Sequence, residues 1–172
     1  MGDVDLGVAV VRPARLADAR AIADIWNPEV EHAWTTTDTE PRAVAAQRAW
    51  LAAHDVAHPV VVAVSDTEGA EVLGYAALAP YRPKPAFRGA VEDSVYVRQD
   101  VRGQRIGDLL LAHLLDLARE AGHHTVLARI VSDNVPSIRL HERHGFARVG
   151  LERQTAFKLG RYLDVALLQM LL

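Results

Sequence analysis

Apolar and polar positions alternate along this chain at two periods, and the switches between them mark its elements. Residues 8–12 are apolar enough for a short strand, which Pro13 closes. Asp18 is placed to cap a helix whose Ala21, Ile22, Ile25 and Trp26 share one face. Pro28 predicts a break there, because the residue before a proline is pushed out of the helical region. Residues 34–40 are rich in threonine and read as a loop. A second helix, capped by Thr39 with Glu40 and Pro41 in its first turn, is predicted to run to about His54. Pro59 to Val64 is a β-branched run, hence a strand. Residues 66–69 read as a hairpin turn, and Val72 to Ala79 as the returning strand. Gly74 inside it predicts a bulge or a close backbone approach.

Residues 80–90 contain Pro80, Pro83 and Pro85 and are expected to be an extended loop without helix. Val91 to Val97 alternates as a strand. From Arg105 to Ala121 the apolar residues Ile106, Leu110, Leu114 and Leu117 recur at helical spacing, and Gly122 ends that helix. Thr125 to Val131 is a buried strand. Pro136 opens a short helix that Gly145 closes. A strand at residues 146–151, a loop, and a last strand at residues 161–171 complete the pattern. Strand, two helices, three strands, helix, strand, helix and two strands describe an α/β fold around one sheet.

At 172 residues the chain fits one domain, with half its residues hydrophobic and 24% charged. A formal charge of −3 argues against a general nucleic-acid binder. The absence of cysteine excludes disulfides, thiolate nucleophiles and Cys-ligated zinc. His54 and His58 have metal-pair spacing if helical, but Pro59 and the lack of a third ligand nearby argue against zinc. No signal peptide and no apolar run of about 20 residues is evident, so a cytoplasmic protein with no membrane partner is expected.

The junction after Val97 carries the chemistry. A strand passes into a turn containing Gly103 and Gly107 with Arg98, Arg102 and Arg105, and then into a helix. Free backbone N–H groups and the positive end of the helix dipole converge there and suit a phosphate. The turn has neither the lysine of a P-loop nor the spacing of a dinucleotide fingerprint. Upstream, Arg82, Lys84 and Arg88 form an acid-free basic loop beside Tyr81 and Phe87, which suits an anionic ligand.

These stretches together resemble the GCN5-related N-acetyltransferases, and within them the phosphinothricin and methionine sulfoximine acetyltransferase branch. The resemblance is carried by Arg12-Pro13, Trp26-Asn27, Glu40-Pro41, Gly74-Tyr75, the run from Val91 to Val97, Asn134 to Glu142, Gly145-Phe146 and the run from Phe157 to Val165. It implies a single domain over residues 1–172 with a central, mostly antiparallel sheet flanked by helices, and acetyl-CoA as cofactor. The diphosphate would sit on Arg102, Gly103, Gln104, Arg105, Ile106, Gly107 and Asp108. Arg105 stands where the family pattern has its first glycine. The pantetheine arm would pair with the strand at Val95, Tyr96 and Val97 and approach Asn134 and Ser137.

Transfer to an amine needs a base, because an α-amine with a pKa of about 8 or above is mostly protonated near neutral pH. Glu92 is the expected base, and His141 a second catalytic candidate able to assist proton removal. Thr37, Arg82, Lys84 and Phe87 would join Glu92 around the acceptor. The resemblance therefore predicts acetylation of the α-amine of a small amino-acid-like compound such as phosphinothricin, methionine sulfoximine or methionine sulfone. A protein N-terminus or a polyamine as acceptor, and a non-catalytic acyl-CoA sensor, are the alternatives. Leu167, Leu168, Leu171 and Leu172 exceed what one strand face needs, which points to a homodimer contact.

Overall fold

A computed structural model of the chain describes residues 9–66 and 70–172. Seven strands form one sheet in the order β1-β2-β3-β4-β5-β7-β6. They are β1 (Val10–Pro13), β2 (Val60–Val64), β3 (Val72–Pro80), β4 (Ala90–Val97), β5 (Thr125–Val131), β6 (Ala147–Lys158) and β7 (Arg161–Leu171). The helices are α1 (Ala19–His32), α2 (Val44–Ala52), α3 (Ile106–Glu120) and α4 (Val135–Arg143). Every neighbouring pair is antiparallel except β4 and β5, which run parallel on either side of the α3 crossover.

Strand alternation splits the core in two. Val91, Val126, Ala128 and Ile130 point to the face covered by α3, where Leu110, Leu111 and Leu114 are fully buried. Burying each such leucine contributes roughly 2 kcal/mol. Val62, Tyr75 and Ala77 point to the other face and meet Ile22, Ile25, Trp26 and Val30 of α1 and Leu51 of α2. The expectation for Gly74 holds as a close approach: a Cβ there would lie 2.7 Å from the carbonyl oxygen of Tyr96 on β4.

Several expected boundaries move, each for a visible reason. α1 runs through Pro28, since Trp26 on one side and Glu29 and Val30 on the other are buried and together hold the helical path. Asp18 does not cap α1. Its carboxylate accepts two hydrogen bonds from Arg12, at 2.8 and 2.9 Å, and one from the Arg15 N–H. α2 starts at Val44 because the Asn27 side chain pairs with both backbone groups of Arg42, whose guanidinium lies 4.0 Å from the Trp26 ring centroid. The proline-rich loop contains one 3-10 turn, Pro85–Phe87. β6 does not stop at residue 151. It continues to Lys158 across two register shifts, one held by the Gln154 N–H donating to Asp164. The turn at 66–69 lies mostly outside the described residues, as does the first residue of the expected 8–12 strand.

Candidate active site

The fork between β4 and β5 creates the site. These strands pair only from Ala90 with Thr125 to Glu92 with Leu127. Beyond that point β4 remains paired with β3 as far as Val97, so its β5-facing backbone groups from Asp93 to Val97 have no strand partner. A cavity of about 1300 Å³ occupies the opening. Such a crevice at the carboxyl ends of parallel strands is where open α/β sheets bind ligands.

At one end lies the turn into α3. Gly103 has φ +82°, and Arg105, the residue before the helix, has φ +64°. Arg105 thus adopts the left-handed backbone that glycine takes freely, and its side chain lines the cavity. Gly107 lets α3 pack closely: a Cβ there would lie 3.2 Å from Leu140 of α4. Arg102, Gly103, Arg105, Ile106, Gly107 and Asp108 all line this end, whereas Gln104 is exposed outside it. Asp108 is already engaged by Arg143 at 3.0 Å and His144 at 3.3 Å, which holds its carboxyl below the usual range despite partial burial.

Val95, Tyr96 and Val97 line the middle of the cavity, opposite Asn134 and Ser137. Asn134 caps α4 by accepting from the Ser137 N–H at 3.3 Å. The geometry fits a long arm bearing amides: an unpaired strand edge on one side, polar helix residues on the other, and a cationic N-terminal turn beyond.

Glu92 stands at the apex of the fork, half-buried and lining the cavity. It has no hydrogen bond or ion pair among the described residues. Burial pushes its carboxyl above the ordinary glutamate value; Arg129 opposes that rise, and Asp93 and Glu152 reinforce it.

His141 is on the other face. Asp93 alternates with Glu92 and so points toward α3 and α4, where its Oδ2 meets His141 Nε2 at 2.8 Å. His141 Nδ1 lies 2.7 Å from the Ser137 carbonyl, which can only accept. Nδ1 therefore donates to that carbonyl, and Nε2 and the Asp93 carboxyl share the proton between them. Burial alone would lower the His141 pKa, but the Asp93 carboxylate and the Ser137 carbonyl raise it above 6.5. His141 and Asp93 both border the cavity that Glu92 lines, although only 3% of the His141 side chain is exposed, and their contact ties α4 to β4.

Another wall of the cavity is formed by the loop after α1, including Trp34 and Thr37. Residues far away in sequence clamp it. Buried Lys158 donates from Nζ to the carbonyls of Glu29 and Thr36, each at 2.9 Å. Burial holds the Lys158 amine below the ordinary lysine value. The Glu29 carboxylate accepts from Thr35 and, at 2.5 Å, from Arg102. Arg161 stacks 4.2 Å from the Trp34 centroid. The sequence carried no sign of these ties, since Lys158 and Glu29 are 129 residues apart. Arg82, Lys84 and Phe87 do not line this cavity. Arg82 packs instead against Tyr81 and Phe87.

A parted parallel strand pair, a carboxylate at its apex and a cationic helix start at its mouth define an acyl-group transfer cleft. Residues 19–146 match the acetyltransferase (GNAT) family model, and the chain belongs to that family. It is 41% identical to a phosphinothricin N-acetyltransferase of Streptomyces coelicolor, over 91% of this chain and 92% of that one. It is 42% identical to an L-methionine sulfoximine/L-methionine sulfone acetyltransferase of Pseudomonas paraeruginosa, over 94% of both chains. Its fold superposes with a TM-score of 0.89 on a GNAT superfamily phosphinothricin acetyltransferase from Sinorhizobium meliloti in complex with acetyl-CoA, at 34% identity over 96% of this chain and 89% of that one. Among the described residues no helix is long and apolar enough to cross a membrane, and no cluster of three or more His, Asp or Glu suits a metal.

Proposed function

We propose that this protein transfers the acetyl group of acetyl-CoA to the α-amine of a small amino-acid-like acceptor, of the class that includes phosphinothricin, methionine sulfoximine and methionine sulfone. The observation that carries this reading is the placement of an unpaired, desolvated carboxylate, Glu92, where β4 and β5 part. Acetyl-CoA supplies the activated thioester. The turn from Arg102 to Asp108 takes its diphosphate, and the free edge of β4 at Val95 and Val97 pairs with its amides. Glu92 accepts the proton of the acceptor ammonium, directly or through a water, leaving a neutral amine that would attack the thioester carbonyl; as the C–N bond forms the C–S bond breaks, and CoA leaves as a thiolate that takes up the proton the nitrogen sheds. The raised pKa of Glu92 brings it closer to the amine's and so improves the first proton transfer. His141 and Asp93 fix α4 against β4 and act as positioning residues. No cysteine is available to carry an acetyl group, so transfer is direct, within a ternary complex.

The protein works in the cytoplasm, where acetyl-CoA is made and used. It forms a homodimer through the β6–β7 side of the sheet. Leu168, expected at that contact, lies in the core; the exposed apolar residues there are Val149, Leu151, Phe157, Leu159, Tyr162 and Leu171.

The test is a CoA-release assay with purified protein against the three named compounds, ordinary amino acids, a polyamine and a peptide N-terminus. Selective release with the amino-acid analogues is expected. Tight acetyl-CoA binding with no release for any amine would indicate a sensor instead.

A further inference from the structure

The basic loop at Arg82 and Lys84 does not line the cavity of the single chain, but other cations do. Six arginines line the cavity: Arg102, Arg105, Arg129, Arg139, Arg143 and Arg161. Arg102 and Arg105 belong to the turn before α3, and Arg139 and Arg143 to α4, on the side facing the cofactor. Arg161 is committed to the Trp34 ring and to Asp133 at 2.9 Å.

Arg129 differs. Val126, Ala128 and Ile130 point into the core beneath α3, so Arg129 points to the opposite face, the face of Glu92. Leu127 pairs with Glu92 in register, and Arg129 is the next residue of β5 on that face. Two residues of strand set the Arg129 backbone about 6–7 Å further into the fork than the backbone of Leu127, which pairs with Glu92. That offset matches a compact zwitterion lying between the two strands. The only side-chain hydrogen bond of Arg129 among the described residues is from one terminal nitrogen to Glu152, at 2.6 Å, and that side chain is 43% exposed. The rest of the guanidinium fork is open, and such a fork suits a carboxylate in bidentate geometry.

We infer that Arg129 binds the α-carboxylate of the acceptor, so that Glu92 on β4 and Arg129 on β5 hold the two ends of one amino acid across the strand fork. This rests on the reading of the acceptor as amino-acid-like and goes further by naming the group that selects it. Glu152 keeps the guanidinium oriented while the site is empty. A polyamine brings a second cation toward Arg129, and an amino-acid amide offers it a neutral acceptor in place of a carboxylate.

Steady-state kinetics with methionine sulfone and its carboxamide test the assignment in the wild type, Arg129→Gln and Arg129→Lys. The wild type is expected to favour the free acid over the amide in kcat/KM by roughly 10- to 100-fold, the range of a charge-assisted hydrogen bond. In Arg129→Gln this preference should collapse to within about 3-fold by loss on the acid alone, mainly through KM, with CoA binding by calorimetry unchanged. Arg129→Lys should recover part of it. An Arg129→Gln variant that loses both acceptors equally, or keeps the preference for the acid, overturns the assignment while leaving the acetyltransferase reading intact. A wild type that acetylates neither compound but does acetylate a polyamine or a peptide overturns the acceptor class, and the assignment with it.

Discussion

Arg105 carries two consequences at one position. A non-glycine residue in the left-handed region costs about 1–2 kcal/mol. Its φ of +64° places it there, while its side chain adds charge at the end of the cavity next to α3. Arg105→Gly should therefore raise the midpoint of thermal unfolding by about 2–4 °C and weaken acetyl-CoA binding, as differential scanning and calorimetry would register. Glu92 behaves in the opposite sense, since its worth is chemical. Glu92→Gln should lower kcat roughly 100-fold or more with CoA binding retained. In the wild type, kcat/KM should rise with pH through a value above the ordinary glutamate range, because burial raises that group. The variant should lack this acidic limb. Unchanged rates would remove Glu92 as the base.

Elements differ in how openly the sequence declared them. α3 was legible because its apolar residues obey one period and Gly122 ends it at φ +77°. That the turn into α3 and Glu92 line one cavity was legible because both lie on one continuous stretch. α1 concealed its second half behind Pro28, and β6 concealed its length behind the run Glu152-Arg153-Gln154, which fits no alternation. The clamp of Lys158 on the loop after α1 and the pairing of Asp93 with His141 join distant segments, so no local pattern could announce them. Nor could it place Arg129, whose role follows only from the register of β4 against β5. The β6–β7 hairpin offers a test of local geometry. Its two-residue turn, Leu159-Gly160, has φ of +48° and +81°, the conformation in which asparagine followed by glycine is preferred. Leu159 is half exposed. Leu159→Asn should stabilise the fold by about 1 kcal/mol, measured by urea titration.

For the molecule as a whole, the buried Asp93–His141 pair sets a pH dependence. His141 has a folded pKa above 6.5. The stability it contributes is fully present below the unfolded histidine value and is lost as pH rises through the folded one. Urea midpoints should fall over that interval in the wild type and fall less in Asp93→Asn, which removes the charge that holds the proton. Glu92, also raised, adds a decline of the same sign that begins lower, above about pH 4.5. The exposed apolar hairpin face carries the assembly prediction. Phe157→Asp should convert a dimer to a monomer by light scattering, because a charge would replace a ring that is 59% exposed in the single chain. A wild type that is monomeric at high concentration would rule the dimer out.

The order of the strands has a consequence for synthesis. β7 lies between β5 and β6, yet the ribosome delivers both neighbours first. While residues 161–171 are still inside the exit tunnel, β5 lacks the antiparallel partner that pairs with all seven of its residues. Until then β5 is an open edge of the sheet and β6, which pairs only with β7, has no place in it, so the strand that carries Arg129 gains its second neighbour only when β7 arrives.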